Sequence, residues 1–445
     1  MATPAQGNSK LQEVLHELHA PRSKRSTCVA FRFCFIYFGL YCLTTQILPS
    51  LFPVPKVNIP DPATLPPVRP IVMWTAAHVF RIAHPLIYTG SGSGDKTFDW
   101  VLSFCILVFA LLATLVWSVL DRKRDNYISL HKWFRVFLRF ALASQMLVYG
   151  IGKMIPVQMG FPYLTRLLEP YGNFSPMGVL WSSIGAARGY EIFAGAAETL
   201  GGILLIFPRT TTFGALICLA DMIQIFMLNM TYDVPVKLFA FHLILMPLVL
   251  LAPESSRFAN FFFLNRAVEP SAQPELFAKR RANRIALAAQ MIFGIWLLGS
   301  NVYSSWSAWH TYGGGRPKSP LYGIWNIDQM SIQGDLRPPL LTDSQRWRRA
   351  IFDFPAQMSF QRMDDTFVNY GATINDGART IALTVGTKKD WKGNLTFQRV
   401  SPDQLVLDGT IDVYKVHMQL QRVDREKLVL VNRGFHWIQE YPFNR

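Results

Sequence analysis

Glu191 and Glu198 stand seven residues apart in an apolar run from Gly189 to Gly202, and Lys153 closes the preceding apolar run in Gly150-Ile151-Gly152-Lys153. Asp221 interrupts the next run, with Gln224 and Asn229 behind it, and His242 lies in the one after that. An ionisable side chain at the centre of a membrane helix costs roughly 2.5–3.5 kcal/mol on insertion scales. Such groups therefore turn inward, find partners, and are candidates for proton handling or ligand binding. A seven-residue spacing puts Glu191 and Glu198 on one helix face. The plain alternative for Glu198 is a buried structural ion pair with Lys153, since pairing alone proves no chemistry.

The other candidates divide similarly. Arg209 follows Pro208 where one apolar run closes, and Asp221 and Gln224 can hydrogen-bond between helices. Asp233 and Lys237 straddle Pro235 at i,i+4, a spacing that fixes a turn. A single helical histidine such as His242 is more often packed and hydrogen-bonded than a haem or quinone ligand. His78 and His84 lack the i,i+4 spacing of helical metal ligands. His436 and Glu440 are read as part of a last strand, where i and i+4 lie about 13 Å apart, and so form no metal site. Gly195, Ala196, Ala197, Gly201 and Gly202 let helices approach closely.

The elements that must hold these groups are membrane spans. Half of the 445 residues are hydrophobic and 16% are charged. That composition fits a polytopic membrane protein. The net charge of +15 comes from basic residues beside apolar runs, so it speaks for topology and not for nucleic acid. The five cysteines show no CxxC or Cys/His spacing, hence neither a disulfide framework nor a zinc site. Spans are expected at about 27–50, 98–119, 134–155, 188–207, 211–230, 236–252 and 285–304, each near the ~20 residues that cross a bilayer. Residues 71–89, with His78, Arg81 and His84, read as an interfacial helix.

The domains are then a cytoplasmic tail (1–26), a transmembrane domain (27–306) with a core at 134–252, a Gly/Pro linker (307–321) and a β domain (322–445). Arg122, Lys123, Arg124 and the Lys279–Arg284 cluster put the N-terminus in the cytoplasm and the β domain outside a cell membrane. From residue 322 the apolar period becomes two, at Phe397, Val406, Ile411, Val413, Val416, Met418 and Leu420. Turn signals fall at Asn375-Asp376-Gly377, Lys392-Gly393-Asn394 and Asp408-Gly409, which implies seven to nine antiparallel strands. Leu341–Trp347 reads as a short capped helix.

Within residues 139–252 the chain resembles the DoxX-type four-helix membrane module. The matching features are Gly150-x-Gly152-Lys153, Gly195-x-x-Glu198-x-x-Gly201-Gly202, Leu204-Leu205 running into Pro208-Arg209-Thr210, and Gly214-Ala215. DoxX-like proteins are similar to the membrane subunit of a thiosulfate:quinone oxidoreductase. The resemblance implies redox chemistry at the bilayer, with a quinone as candidate ligand and a partner in a membrane redox complex. The chain has no cluster-type Cys motif, dinucleotide fingerprint or CxxCH site for a complete enzyme. Gly323-Ile324-Trp325 resembles the Gly-x-Trp that opens lipocalin-like barrels. A different reading is a non-enzymatic scaffold whose β domain captures a lipid or a partner.

Overall fold

The computed structural model describes residues 24–57, 59–124, 126–271, 275–386 and 388–444. Most of the tail 1–26, including Lys10 and Arg22, lies outside them. Among the described residues seven helices are long and apolar enough to cross a membrane: Arg25–Thr44, Thr97–Leu120, Ile128–Met154, Arg188–Ile206, Pro208–Thr231, Lys237–Phe263 and Arg280–Thr311, numbered here spans 1 to 7. Spans 1, 3, 5 and 7 finish at what we call the upper end of the bundle, where spans 2, 4 and 6 begin. Span 3 is the hub, with 72% of its apolar window buried against 22–28% for spans 1, 2, 5 and 7. Its buried residues run almost without interruption from Leu138 to Leu147, so all its faces meet protein.

Several boundaries depart from the sequence reading for local reasons. Span 1 stops at Thr44, and a separate turn of helix covers Ile47–Leu51. Thr44 and Thr45 each donate their hydroxyl to the carbonyl four residues back, and Pro49 supplies no N–H to carry the helix through. The interfacial helix is confined to Val68–His78, with Ile71 and Trp74 exposed, and residues 79–96 are irregular. Span 7 continues to Thr311, into the expected linker, and stops where Gly313 and Gly315 fold against the Trp309 ring.

The chain divides into two compact units. One comprises 1–158 and 189–308, the other 159–188 and 309–445. The segment between spans 3 and 4, which the sequence placed in the membrane domain, thus clusters with the β region. Leu164 is buried with Ile324 and Ile351, and its N–H donates to Asp353 Oδ2 at 2.8 Å. Arg316 pairs with the other oxygen of that carboxylate.

The β region is a closed antiparallel barrel. Strand β1 (Gly323–Ile332) pairs with β3 (Trp347–Phe352) on one side and β9 (Tyr414–Arg422) on the other. The remaining strands follow in chain order as an up-and-down meander, and the two-residue β2 (Asp335–Leu336) only fringes β1. Closure leaves eight strands without a free edge. Trp325 is buried and donates its indole N–H to Leu321 O at 3.0 Å.

The expected helix at Leu341–Trp347 is absent. Asp343 Oδ1 accepts from Gln345 N in a turn, and Trp347 already starts β3. Lys392–Asn394 and Asp408–Gly409 are not turns but interior positions of β7 (Lys388–Ser401) and β8 (Gln404–Ile411). Gly409 has φ +152°, and a Cβ there would lie 2.1 Å from Asn394 O. These glycines let neighbouring strands bend and close up rather than reverse. In β8 the inward residues are Leu405 and Leu407, so Val406 faces outward, and Val413 is exposed at the β8–β9 turn. The segment around His436 and Glu440 is irregular chain beyond β9, not a strand.

Candidate functional site

Lys153 and Glu198 meet inside the bundle. Span 3 presents Lys153 in its last turn and span 4 presents Glu198 near mid-helix, and the ammonium donates to Glu198 Oε1. Glycine makes the approach possible. A Cβ on Gly195 would lie 2.5 Å from Gly150 O and 2.7 Å from Lys153 Cβ. A Cβ on Gly150 would lie 2.5 Å from Thr199 Oγ1. Neither position has room for a side chain, so the two backbones touch and bring the charges together. Gly202 packs on Met146 and Leu147, and Gly201 on Cys218, which extends the seam toward span 5.

The pair is buried but not saturated. Among the described residues Glu198 Oε2 has no hydrogen-bond partner, and neither have Oγ1 of the adjacent Thr199 and Gln145 Oε1 two turns before Lys153 in span 3. Buried polar atoms are normally paired with protein or ordered water. Asp221 of span 5 is half-buried, within electrostatic range of Glu198 and Lys153, and its Oδ2 also lacks a partner. Glu191 is fully buried one face-repeat before Glu198.

The other candidates are placed differently. His242 is buried and stacks on Tyr41 with ring centroids 3.9 Å apart and planes 5° from parallel. Its Nδ1 faces Leu238 O at 2.8 Å, an acceptor only, so Nδ1 carries the proton. Nε2 then accepts from the Tyr37 hydroxyl at 2.7 Å. With both nitrogens engaged, this histidine is packed between spans 1 and 6 and is no open ligand position. Arg209 is exposed in the 3-10 turn Pro208–Thr210, so it is not an inward-facing intramembrane group. Gln224 is exposed and donates to the Tyr190 hydroxyl at 3.1 Å. Asp233 and Lys237 form the expected turn pair at 2.9 Å. Asp95 caps the same turn, accepting from the backbone N–H of Lys237 and Leu238 at 2.9 Å each.

The sequence reading missed two sets of residues. Arg139, buried in span 3, donates to the last carbonyls of span 4, Leu205 O at 2.9 Å and Ile206 O at 2.7 Å. Arg135 donates to Leu250 O of span 6 at 3.1 Å. Arg32 of span 1 reaches the end of span 2 at Ser118 and Asp121. These guanidinium groups cap orphan carbonyls at the lower end. An arginine interrupting an apolar run was the available signal.

The second set lines a cavity of about 590 Å³ at the upper end, between the ends of spans 1 and 3 and the starts of spans 2 and 6. Tyr41, Gln46, Asp61, Lys96, Asp99 and Tyr149 face it. Gln46 donates to the Tyr149 hydroxyl at 2.8 Å, and Lys96 pairs with Asp99 at 2.7 Å. Tyr149 lines the cavity and is within electrostatic range of both Asp61 and Glu198. No sequence pattern joins these residues, because five separate parts of the chain contribute them.

Taken together, the molecule is a multi-pass helical membrane protein with a closed eight-stranded β-barrel and a buried, incompletely satisfied ion pair in its bundle. The chain is 31% identical to the uncharacterized protein YwoB of Bacillus subtilis (strain 168) over 129 residues, which are 29% of this chain and 79% of YwoB. It belongs to the YwoB family. No protein-family profile matches it, and no solved structure does.

Proposed function

We propose that this protein is a DoxX-like membrane component of redox or quinone-linked chemistry, in which the Lys153–Glu198 pair exchanges a proton. The observation that carries this reading is the free Oε2 of a buried glutamate already paired through Oε1. A purely structural pair gains from saturating every lone pair. An oxygen left open, with Asp221 in its field, is suited to accept a proton, a water or a ligand hydroxyl. Tyr149 gives the pair a polar neighbour toward the upper-end cavity. In this reading the membrane is the cell membrane, the N-terminus is cytoplasmic and the partner is a redox protein of the same bilayer.

The test is purification from native membrane with extraction and identification of bound quinones, for the wild type and for Glu198→Gln/Lys153→Met. Quinone enriched in the wild type and lost from a stably folded double variant supports the reading. Equal, background quinone in both removes it.

One observation favours a second reading, a scaffold or binding protein acting through its β unit. Phe435, Trp437, Ile438 and Tyr441 are each at least 75% exposed beyond the last strand. The barrel interior is a single cluster of buried side chains, among them Phe352, Phe360, Met358 and Leu407. Capture in this reading would use the exposed aromatic segment rather than the inside of the barrel.

A further inference from the structure

The upper-end cavity is a candidate binding site in its own right, independent of the redox reading. Its volume, about 590 Å³, lies within the usual range for small-molecule pockets. Tyr41 lines it while being only 3% exposed, and its hydroxyl has no hydrogen-bond partner among the described residues. The ring is fixed by stacking on His242, so the hydroxyl is held ready without a protein acceptor.

The charges have a definite balance. Lys96 is consumed within the wall: it pairs with Asp99 at 2.7 Å and donates to Ser93 O at 2.7 Å. Asp61 is left over. The residue is half-buried, its carboxylate accepts no hydrogen bond among the described residues, and it has only Asp99 and Lys96 as charged neighbours in its field. The cavity thus carries one uncompensated carboxylate beside the rings of Tyr41, Tyr88 and Tyr149. A carboxylate among aromatic rings and hydroxyls is the environment that recognises an ammonium head, by charge, by hydrogen bonds and by cation–π contact.

We propose that this cavity binds a small organic cation with an ammonium head, with Asp61 as its counter-charge and Tyr41 as a positioning hydroxyl. Burial, reinforced by Asp99 and opposed by Lys96, holds the Asp61 carboxyl above the ordinary aspartate range. The groups facing it are Asp99 from span 2 and Lys96 just before it, with Tyr149 from span 3. Affinity is therefore full when Asp61 is ionised and falls as the pH drops through its raised value.

The experiment uses the full-length protein in lipid nanodiscs, titrated calorimetrically with choline or with putrescine, and with acetate as an anionic control. The expected result is saturable binding of at least one cation, weakened on the order of tenfold or more by Asp61→Asn. Tyr41→Phe is expected to weaken it less, without loss of the fold. Should Asp61→Asn unfold, Tyr41→Phe together with the loss of binding at acidic pH carries the test. Binding of neither cation at millimolar concentration overturns the proposal. So does cation binding that Asp61→Asn leaves unchanged, or acetate binding as well as the cations.

Discussion

The bundle and the barrel each bury a fully paired guanidinium, but the bundle also buries an ion pair that is left incomplete. In the barrel, Arg346 is 1% exposed, and every guanidinium nitrogen has an acceptor. Nε donates to Arg337 O at 3.0 Å, Nη2 to Ile327 O at 2.7 Å, and Nη1 to Trp347 O. The group acts as a fixed cross-brace between strands, and burial alone holds its pKa below the usual arginine value, with Asp343 and Asp328 opposing. Arg139 does the same inside the bundle, closing the end of span 4. The Lys153–Glu198 pair is built otherwise, with one carboxylate oxygen engaged and one open. The contrast separates buried charges that complete a structure from one that keeps a free valence.

The comparison is broken most directly at Glu198. Glu198→Ala strands the Lys153 ammonium in the bundle and is expected to cost about 3–5 kcal/mol. It should be read as a large fall in melting temperature or in folded yield. Glu198→Gln/Lys153→Met removes both charges at similar volume and is expected to recover most of that loss. A double variant as unstable as Glu198→Ala would show that the charges themselves hold spans 3 and 4 together.

The second test sharpens where the two regions divide. Leu164 belongs in sequence to the loop between membrane spans, yet it is buried with Ile324 and Ile351 of the barrel. Leu164→Ala is expected to destabilise the β unit by about 2–3 kcal/mol, within the range for buried leucines. Hydrogen exchange should speed up in β1 and β3, with span 3 unaffected. A fragment starting at residue 322 should melt lower than one co-expressed with residues 159–188. Equal melting would return that loop to the membrane part. The third test is Arg346→Met, expected to cost about 1–3 kcal/mol. It leaves the carbonyls of Ile327 and Arg337 without their donor, and no second substitution can relieve them as Lys153→Met relieves Glu198→Gln.

What could be read beforehand follows the range of the interactions. Span positions and the strand-rich C-terminal region come from local apolar periodicity, which the sequence carries directly. The Lys153–Glu198 contact was legible because two costly charges in adjacent antiparallel helices leave few other partners. The small residues at Gly195 and Gly202 pointed to the same seam. The upper-end cavity was not legible, since Tyr41, Asp61, Asp99 and Tyr149 come from four elements far apart in the chain. Asp408-Gly409 was misread because Asp-Gly is a turn signal by type, whereas here the glycine serves a close approach between β7 and β8. Leu341–Trp347 was misread because Asp343 caps a turn as readily as a helix, and only the pairing of Trp347 with β4 (Gln357–Arg362) decides between them.

Arg209 gives the smallest expected effect and a useful control. The sequence named it with Glu198 and Asp221 among the candidate intramembrane groups, although it follows Pro208 where an apolar run closes. Its side chain is exposed in the turn that links spans 4 and 5, and it holds no ion pair among the described residues. Arg209→Ala is therefore expected to change stability by no more than about 0.5 kcal/mol. Its removal leaves the carbonyls of Leu205 and Ile206 capped, because Arg139 and not Arg209 holds them. Arg139→Ala at the same end of span 4 should in turn be the damaging change. If thermal melting ranks the two arginines the other way round, the lower end of span 4 is held by Arg209, and the division between finished and unfinished buried charges loses one of its finished members.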